Sequence, residues 1–159
     1  MGDGKSSHFE SIQVDLRNGT KGLLPMNEKT FQLLLLDERL AVCRMDPDAS
    51  LPGWATQGRF FSITRTAEEL SIVCAEAAVH DGVKVVKNWR VLRLVGAMDF
   101  SVVGVLASLT TPLAEAKVGL FAISTFDTDY LLVQESDLDR AIEVLVTFGH
   151  DVTREDSTA

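Results

Sequence analysis

Two thiols, three imidazoles and a closely spaced pair of carboxylates are the groups in these 159 residues with chemistry to offer. Cys43 or Cys74 with His80 would make a thiolate–imidazole nucleophile. Neither cysteine sits in a recognisable nucleophile motif, and both lie in apolar runs, where inert structural thiols belong. His8 and His150 fall in terminal tails, and no CxxC or HxxxH spacing offers a metal site, so no metal is expected. Asp127 and Asp129 form an acidic pair at a turn, but a calcium loop needs more oxygen ligands and a distal Glu. Neither GxGxxG nor a P-loop occurs, and no cofactor is expected.

Catalysis therefore has no candidate, and recognition is left. Asp129 opens a strand just after a turn, where its carboxylate can reach an ammonium or cap its own turn. The helix that follows Phe100-Ser101 offers free N–H groups to a carboxylate, or Ser101 is simply its N-cap. If that helix runs on through Pro112, the carbonyl of Ser108 loses its partner, and a ligand N–H or a water can satisfy it.

The elements that must position these groups are legible in the apolar pattern. Leu33–Leu36 and Leu40–Cys43 flank Asp37-Glu38-Arg39, as in a hairpin or a bulged strand. Pro52 to Gln57 suits a short helix, Phe60–Thr64 and Leu70–Cys74 a strand pair, and Glu76–His80 a helical turn. Trp89–Val95 is a further strand. Val102, Val105, Leu106, Leu109 and Leu113 have the spacing of an amphipathic helix over 102–111. Gly119–Phe126 and Asp129–Gln134 form a second strand pair. Ser136-Asp137-Leu138-Asp139 reads as a capping box before a helix ending at Gly149. Overlaid at an offset of 60, Phe61 meets Phe121, Ile63 meets Ile123 and Val73 meets Val133, the mark of a duplication. Each half then fits a split βαβ, ferredoxin-like unit.

Composition sets the outer limits. Apolar residues make up 46% of the chain, enough for one ample core or two small ones. The net charge of −8, with scattered Lys and Arg, excludes a nucleic-acid surface. No apolar run approaches the ~20 residues of a membrane span, and a secretory signal is absent from the first residues, so a cytoplasmic protein is expected.

The stretch Pro112 to Leu138, and within it Ser124-Thr125-Phe126-x-Thr128-Asp129, resembles an ACT domain. More narrowly it is similar to the small bacterial tandem-ACT proteins and the CASTOR arginine sensors. Trp89–Leu94 and Phe61–Thr66 extend the likeness from Leu33 to Gly149. The resemblance implies an α+β fold of two ferredoxin-like (βαββαβ) ACT units with antiparallel sheets packed together. The expected divisions are an N-terminal arm over 1–28, a first unit over 29–88, a second over 89–150 and a C-terminal tail over 151–159. It implies a non-catalytic regulatory module that binds a small-molecule amino acid, pairs into a homodimer and acts on a regulated protein partner. Ligand-independent dimerisation is the alternative. By resemblance the pocket takes Ser108, Leu109, Thr125, Phe126 and Asp129, beside Phe100 and Ser101 at the helix start. Val102 stands where the arginine sensors use an acidic residue. Glu69 and Arg65-Thr66 are the expected first-half counterparts of Asp129 and Thr125-Phe126, and the strand Glu69–Cys74 or the 102–111 helix is the expected dimer contact.

Overall fold

Leu33, Leu34, Leu35 and Leu36 stand in a row because the strand they form is covered on both faces. The computed structural model describes residues 30–96 and 103–155. That strand, β1 (Gln32–Met45), turns Leu33 and Leu35 into one apolar layer and Leu36 toward the other. Asp37-Glu38-Arg39 resolves as a bulge rather than a hairpin. Leu36 opposes Val91 and Leu40 opposes Trp89, so three residues of β1 stand against Arg90 alone.

A 3₁₀ turn (Gly53–Thr56) leads to β2 (Ser62–Arg65) and β3 (Leu70–Ala75), and a second (Glu76–Ala78) leads to β4 (Lys84–Leu94). The second half runs through α1 (Val105–Glu115), β5 (Leu120–Ser124), β6 (Asp129–Gln134), a 3₁₀ turn, α2 (Leu138–Thr147) and β7 (Asp151–Arg154). One sheet holds all seven strands in the order β2-β3-β1-β4-β6-β5, with β7 parallel to the first part of β1. The fold is α+β and ferredoxin-like, since β4-α1-β5-β6-α2-β7 is a βαββαβ unit. Here β1 lies between β4 and β7.

The helices cover one face of the second half, where Leu109, Leu113, Ala141 and Leu145 meet Leu33, Leu35, Leu92, Leu94, Leu131 and Val133. On the same face of the first half no long helix is present among the described residues, and the 3₁₀ turn carrying Trp54 and Ala55, with Ala78 and Val79, caps Ala41, Cys43, Ile72 and Cys74. The helices read near Pro52 and Glu76 are these short 3₁₀ turns. The opposite, helix-free face gathers Leu40, Val73, Val91 and Leu132, ringed by Phe60, Trp89, Phe121 and Tyr130.

Several expectations are corrected. Residues 151–154, read as tail, pair with β1, because β3 reaches β1 only from Leu40 onward and leaves Gln32–Leu35 with an open edge. The 102–111 helix begins at Val105 and runs to Glu115, because Gly104 takes the left-handed φ of 82° that ends the preceding turn. The capping box before α2 is not made. The Asp137 carboxylate pairs with Arg140 and caps no N–H, and the helix is entered from the 3₁₀ turn. β3 is an interior strand between β2 and β1, so its backbone is already paired and cannot add a partner strand.

The two hairpins are alike in structure, but at an offset one residue shorter than the sequence overlay gives. Leu70–Ala75 corresponds to Asp129–Gln134, and the turn at Glu76 to the turn at Glu135, an offset of 129 − 70 = 59. Val73 and Leu132 then share the helix-free layer, whereas Val133 faces the helices. An offset of 60 would exchange the faces, since strand side chains alternate with period two.

Arg90 holds the bulge. Its guanidinium donates to the Leu36 carbonyl at 3.4 Å and to the Glu135 carboxylate at 3.2 Å, and Arg39 reaches Glu135 from outside, also at 3.2 Å. Arg90→Met keeps the apolar stem but strands that carbonyl and should lower the unfolding free energy in urea by about 1.5–3 kcal/mol. Arg39→Ala, at the exposed end of the network, should change it by less than about 1 kcal/mol.

Candidate functional site

The β5–β6 turn, Thr125 to Thr128, is closed by its threonines. The Thr125 N–H donates to the Thr128 carbonyl at 2.8 Å, and the Thr128 N–H donates to Thr125 Oγ1 at 3.3 Å. Thr128 Oγ1 donates to the Leu94 carbonyl at 2.7 Å and pins the turn against the end of β4. Asp129 is thereby not needed to cap the turn. Its carboxylate instead accepts from the Ser124 hydroxyl across the first rung of the hairpin. Phe126, at the apex, is 78% exposed. Thr125, Phe126 and Asp129 are thus brought together at the end of the sheet from which the chain leaves β4 toward α1.

Ser108 and Leu109 lie on α1. The Leu109 side chain is fully buried against the sheet, and the Ser108 hydroxyl donates to the Val105 carbonyl at 2.7 Å. Phe100, Ser101 and Val102 lie outside the described residues. In the first half the turn Thr66–Glu69 repeats the geometry, with Thr66 Oγ1 accepting from the N–H groups of Glu68 and Glu69. Its Arg65 is turned away onto the loop that follows β1 and donates to the carbonyls of Pro47 and Ala49. The residue corresponding to Asp129 is Leu70, while Glu69 pairs with Arg44 at 2.9 Å. The first hairpin accordingly has no carboxylate at the position of Asp129.

α1 does continue through Pro112, so the Ser108 carbonyl has no N–H partner within the helix. The chain itself faces that carbonyl with His150, which is 4% exposed and not part of a tail. His150 Nδ1 accepts from the Phe31 N–H at 3.3 Å, and the two rings stack with centroids 5.7 Å apart. The ring proton therefore sits on Nε2, which is buried and meets no partner in good hydrogen-bond geometry. Burial drives the imidazole pKa below its ordinary value, and the nearby Ser108 carbonyl opposes this without overcoming it. Sequence reasoning missed this residue. The available signal was its place directly after Gly149, whose φ of 88° turns the chain back across the helix end.

The thiols are not nucleophiles. Cys43 and Cys74 sit diagonally across β1 and β3, and burial pushes both pKa values up, that of Cys74 to about 12. His80 stacks on Trp54, with ring centroids 6.3 Å apart. Among the described residues no three His, Cys, Asp or Glu side chains cluster as metal ligands would, and no helix is long and apolar enough to cross a membrane.

Residues 84–147 match the family model of the ACT domain, and a separate model of an N-terminal domain matches 38–81. The crystal structure of protein Atu0741 from Agrobacterium tumefaciens is 34% identical, with a TM-score of 0.78 over 82% of this chain and 98% of that one. A stretch of 58 residues is 40% identical to subunit 1 of the cytosolic arginine sensor for mTORC1 of Homo sapiens. It covers 36% of this chain and only 18% of that protein's length. The regulatory subunit of aspartate kinase from Thermus thermophilus shares the fold at 10% identity, with a TM-score of 0.51 over 70% of this chain and 93% of that one.

His150 supplies a prediction with a definite sign. Its folded pKa lies below the unfolded value of about 6.5, so the unfolded chain binds the proton more readily. The stability it protects is complete above that value and is lost as pH falls through it. Urea midpoints measured from pH 8 to pH 5 should decline in the wild type, and His150→Phe should flatten that decline.

Proposed function

The chain belongs to the same family as Atu0741 and carries an ACT domain, and from that premise we propose that it is a regulatory module that responds to an amino acid. Two tandem units form it, and the second, from β4 to β7, holds the ligand. The observation that carries this function is the β5–β6 turn. Its backbone is satisfied by Thr125 and Thr128, so the Asp129 carboxylate is a polar group beyond what the turn requires.

Asp129 anchors the ligand ammonium, with Thr125 and Phe126 beside it and the α1 backbone at Ser108 and Leu109 opposite. Phe100 and Ser101, outside the described residues, complete the proposed site. The first half lacks the anchor, because Leu70 takes that position and Arg65 is committed to the loop after β1. The likeness to the cytosolic arginine sensor supports a non-catalytic role in the cytoplasm with a protein partner downstream. Arginine itself is disfavoured by Val102.

A homodimer accompanies this function. The helix-free face offers Trp89, Phe121, Ile123 and Tyr130 around its core, with Val86 54% exposed. That same face supports the second reading, a ligand-independent dimerisation module.

A thermal-shift screen of the twenty amino acids separates the two, since a ligand that binds only the folded state raises the melting temperature. At least one amino acid should do so. Calorimetry with that amino acid should show affinity falling roughly 10- to 100-fold in Asp129→Asn, as for a lost charge-assisted hydrogen bond. Ligand-free stability should change by less than about 1 kcal/mol. No shift with any amino acid, together with a dimer in light scattering, would establish the second reading.

A further inference from the structure

On the helix-free face, beside the β1 bulge, lies a cavity of about 170 Å³ that the hairpin site does not use. Leu34 and Leu36 form its floor, and Phe60 and Tyr130, with ring centroids 4.7 Å apart, form one wall. Its charged lining is Glu38, Arg59, Arg93 and Glu155. The volume is close to that of the ~150 Å³ apolar cavity known to take up benzene.

The four charges are not equivalent. Arg59 is ion-paired with Glu155, whose other carboxylate oxygen accepts from the Asp37 N–H at 3.2 Å. Glu38 accepts from the Arg59 N–H at 3.4 Å. Arg93 alone makes no hydrogen bond or ion pair among the described residues, and its Nε is buried without a partner. It comes from the same strand as Arg90, whose Nε is likewise buried without a partner but whose terminal N–H groups are spent on the bulge. A buried guanidinium N–H with nothing to donate to is costly, and the planar fork of arginine matches a carboxylate.

We propose that this cavity binds a small monocarboxylate with a ring-sized apolar body, its carboxylate held by Arg93 and its body lodged against Phe60, Tyr130 and Leu36. Arg93 is the one cation of the lining without a hydrogen-bonded carboxylate, and with its charge already acting on Glu155 it has room for a single negative charge at most. A phosphate dianion would bring a second charge up to Glu38 and Glu155, with Arg59 already neutralised. The site is separate from Asp129 and does not depend on the function proposed for it. An occupant would touch Leu36 and Glu38, on either side of Asp37 in the bulge, so the cavity also reads the strand that both halves share.

Benzoate is the probe, titrated calorimetrically into the full chain, with benzyl alcohol as its neutral counterpart and inorganic phosphate as the competing anion. Benzoate should bind saturably, and the other two at least tenfold more weakly. Arg93→Gln should weaken benzoate roughly 10- to 100-fold, with Arg93→Lys intermediate. The Arg93 Nε–H resonance should move on titration, which gives a readout in the wild type should a variant fold poorly. Asp129→Asn should leave benzoate affinity unchanged, so this result stands or falls apart from the amino-acid screen. Absence of saturation by about 10 mM benzoate, wild-type affinity in Arg93→Gln, or phosphate binding as tightly as benzoate would each overturn the proposal.

Discussion

The whole sheet depends on one strand serving two sets of neighbours. β1 pairs with β7 and β4 along its first residues and with β3 and β4 along its last, and the change of neighbour is made at Asp37-Glu38-Arg39. A break in a strand interior frees backbone groups that water cannot easily reach, and each must find a partner. Here Arg90 and Glu155 supply two of them, and Glu38 and Glu135 tie in the surroundings. Arg90 takes the Leu36 carbonyl, Glu155 takes the Asp37 N–H, Glu38 takes the Arg59 N–H and Glu135 gathers Arg39 with Arg90. Gly58 fits against this knot because a Cβ there would come within 2.8 Å of Glu38 and 2.9 Å of Ala75, and its φ of 103° suits only glycine. The two halves are therefore built through each other, and β1 cannot be assigned to one of them alone.

The same economy governs the buried polar groups of the second half. Pro112 removes one helical N–H, and His150 turns its ring toward the carbonyl left behind. Its Nδ1 is tied to the Phe31 backbone just before β1. A single imidazole thus joins the end of α2, the middle of α1 and the entry to the central strand. Helix packing against Leu33, Leu35, Leu92 and Leu131 provides the larger apolar stabilisation, about 1.5–3 kcal/mol for each fully buried side chain. The polar contacts determine how the helices sit on that layer.

Function follows from what these constraints leave over. The hairpin turns in both halves close themselves with threonine, which frees the first residue of β6 to be a carboxylate, whereas the matching residue of β3 is the buried Leu70. The thiols, which carry most of the intrinsic reactivity in the chain, are placed where burial suppresses it.

Much of this was legible in the sequence. Alternating and continuous apolar runs located the strands from Leu33 to Gln134 except the first part of β4, Lys84 to Asn88, the helical periodicity located α1 and α2, and the buried state of Cys43 and Cys74 followed from their neighbours. The Thr-Phe-x-Thr-Asp run drew attention to the hairpin that carries Asp129. These are local properties, written in residue type and period. What tertiary structure alone decided was non-local. The repeat offset of 59 rather than 60 depends on which face each strand buries, and side-chain likeness between Phe61 and Phe121 cannot report a face. β7 exists because β3 leaves part of β1 unpaired, a vacancy more than one hundred residues away along the chain. His150 and Arg93 owe their environments to elements that meet only after folding, and no spacing within the sequence encodes a neighbour supplied by another strand.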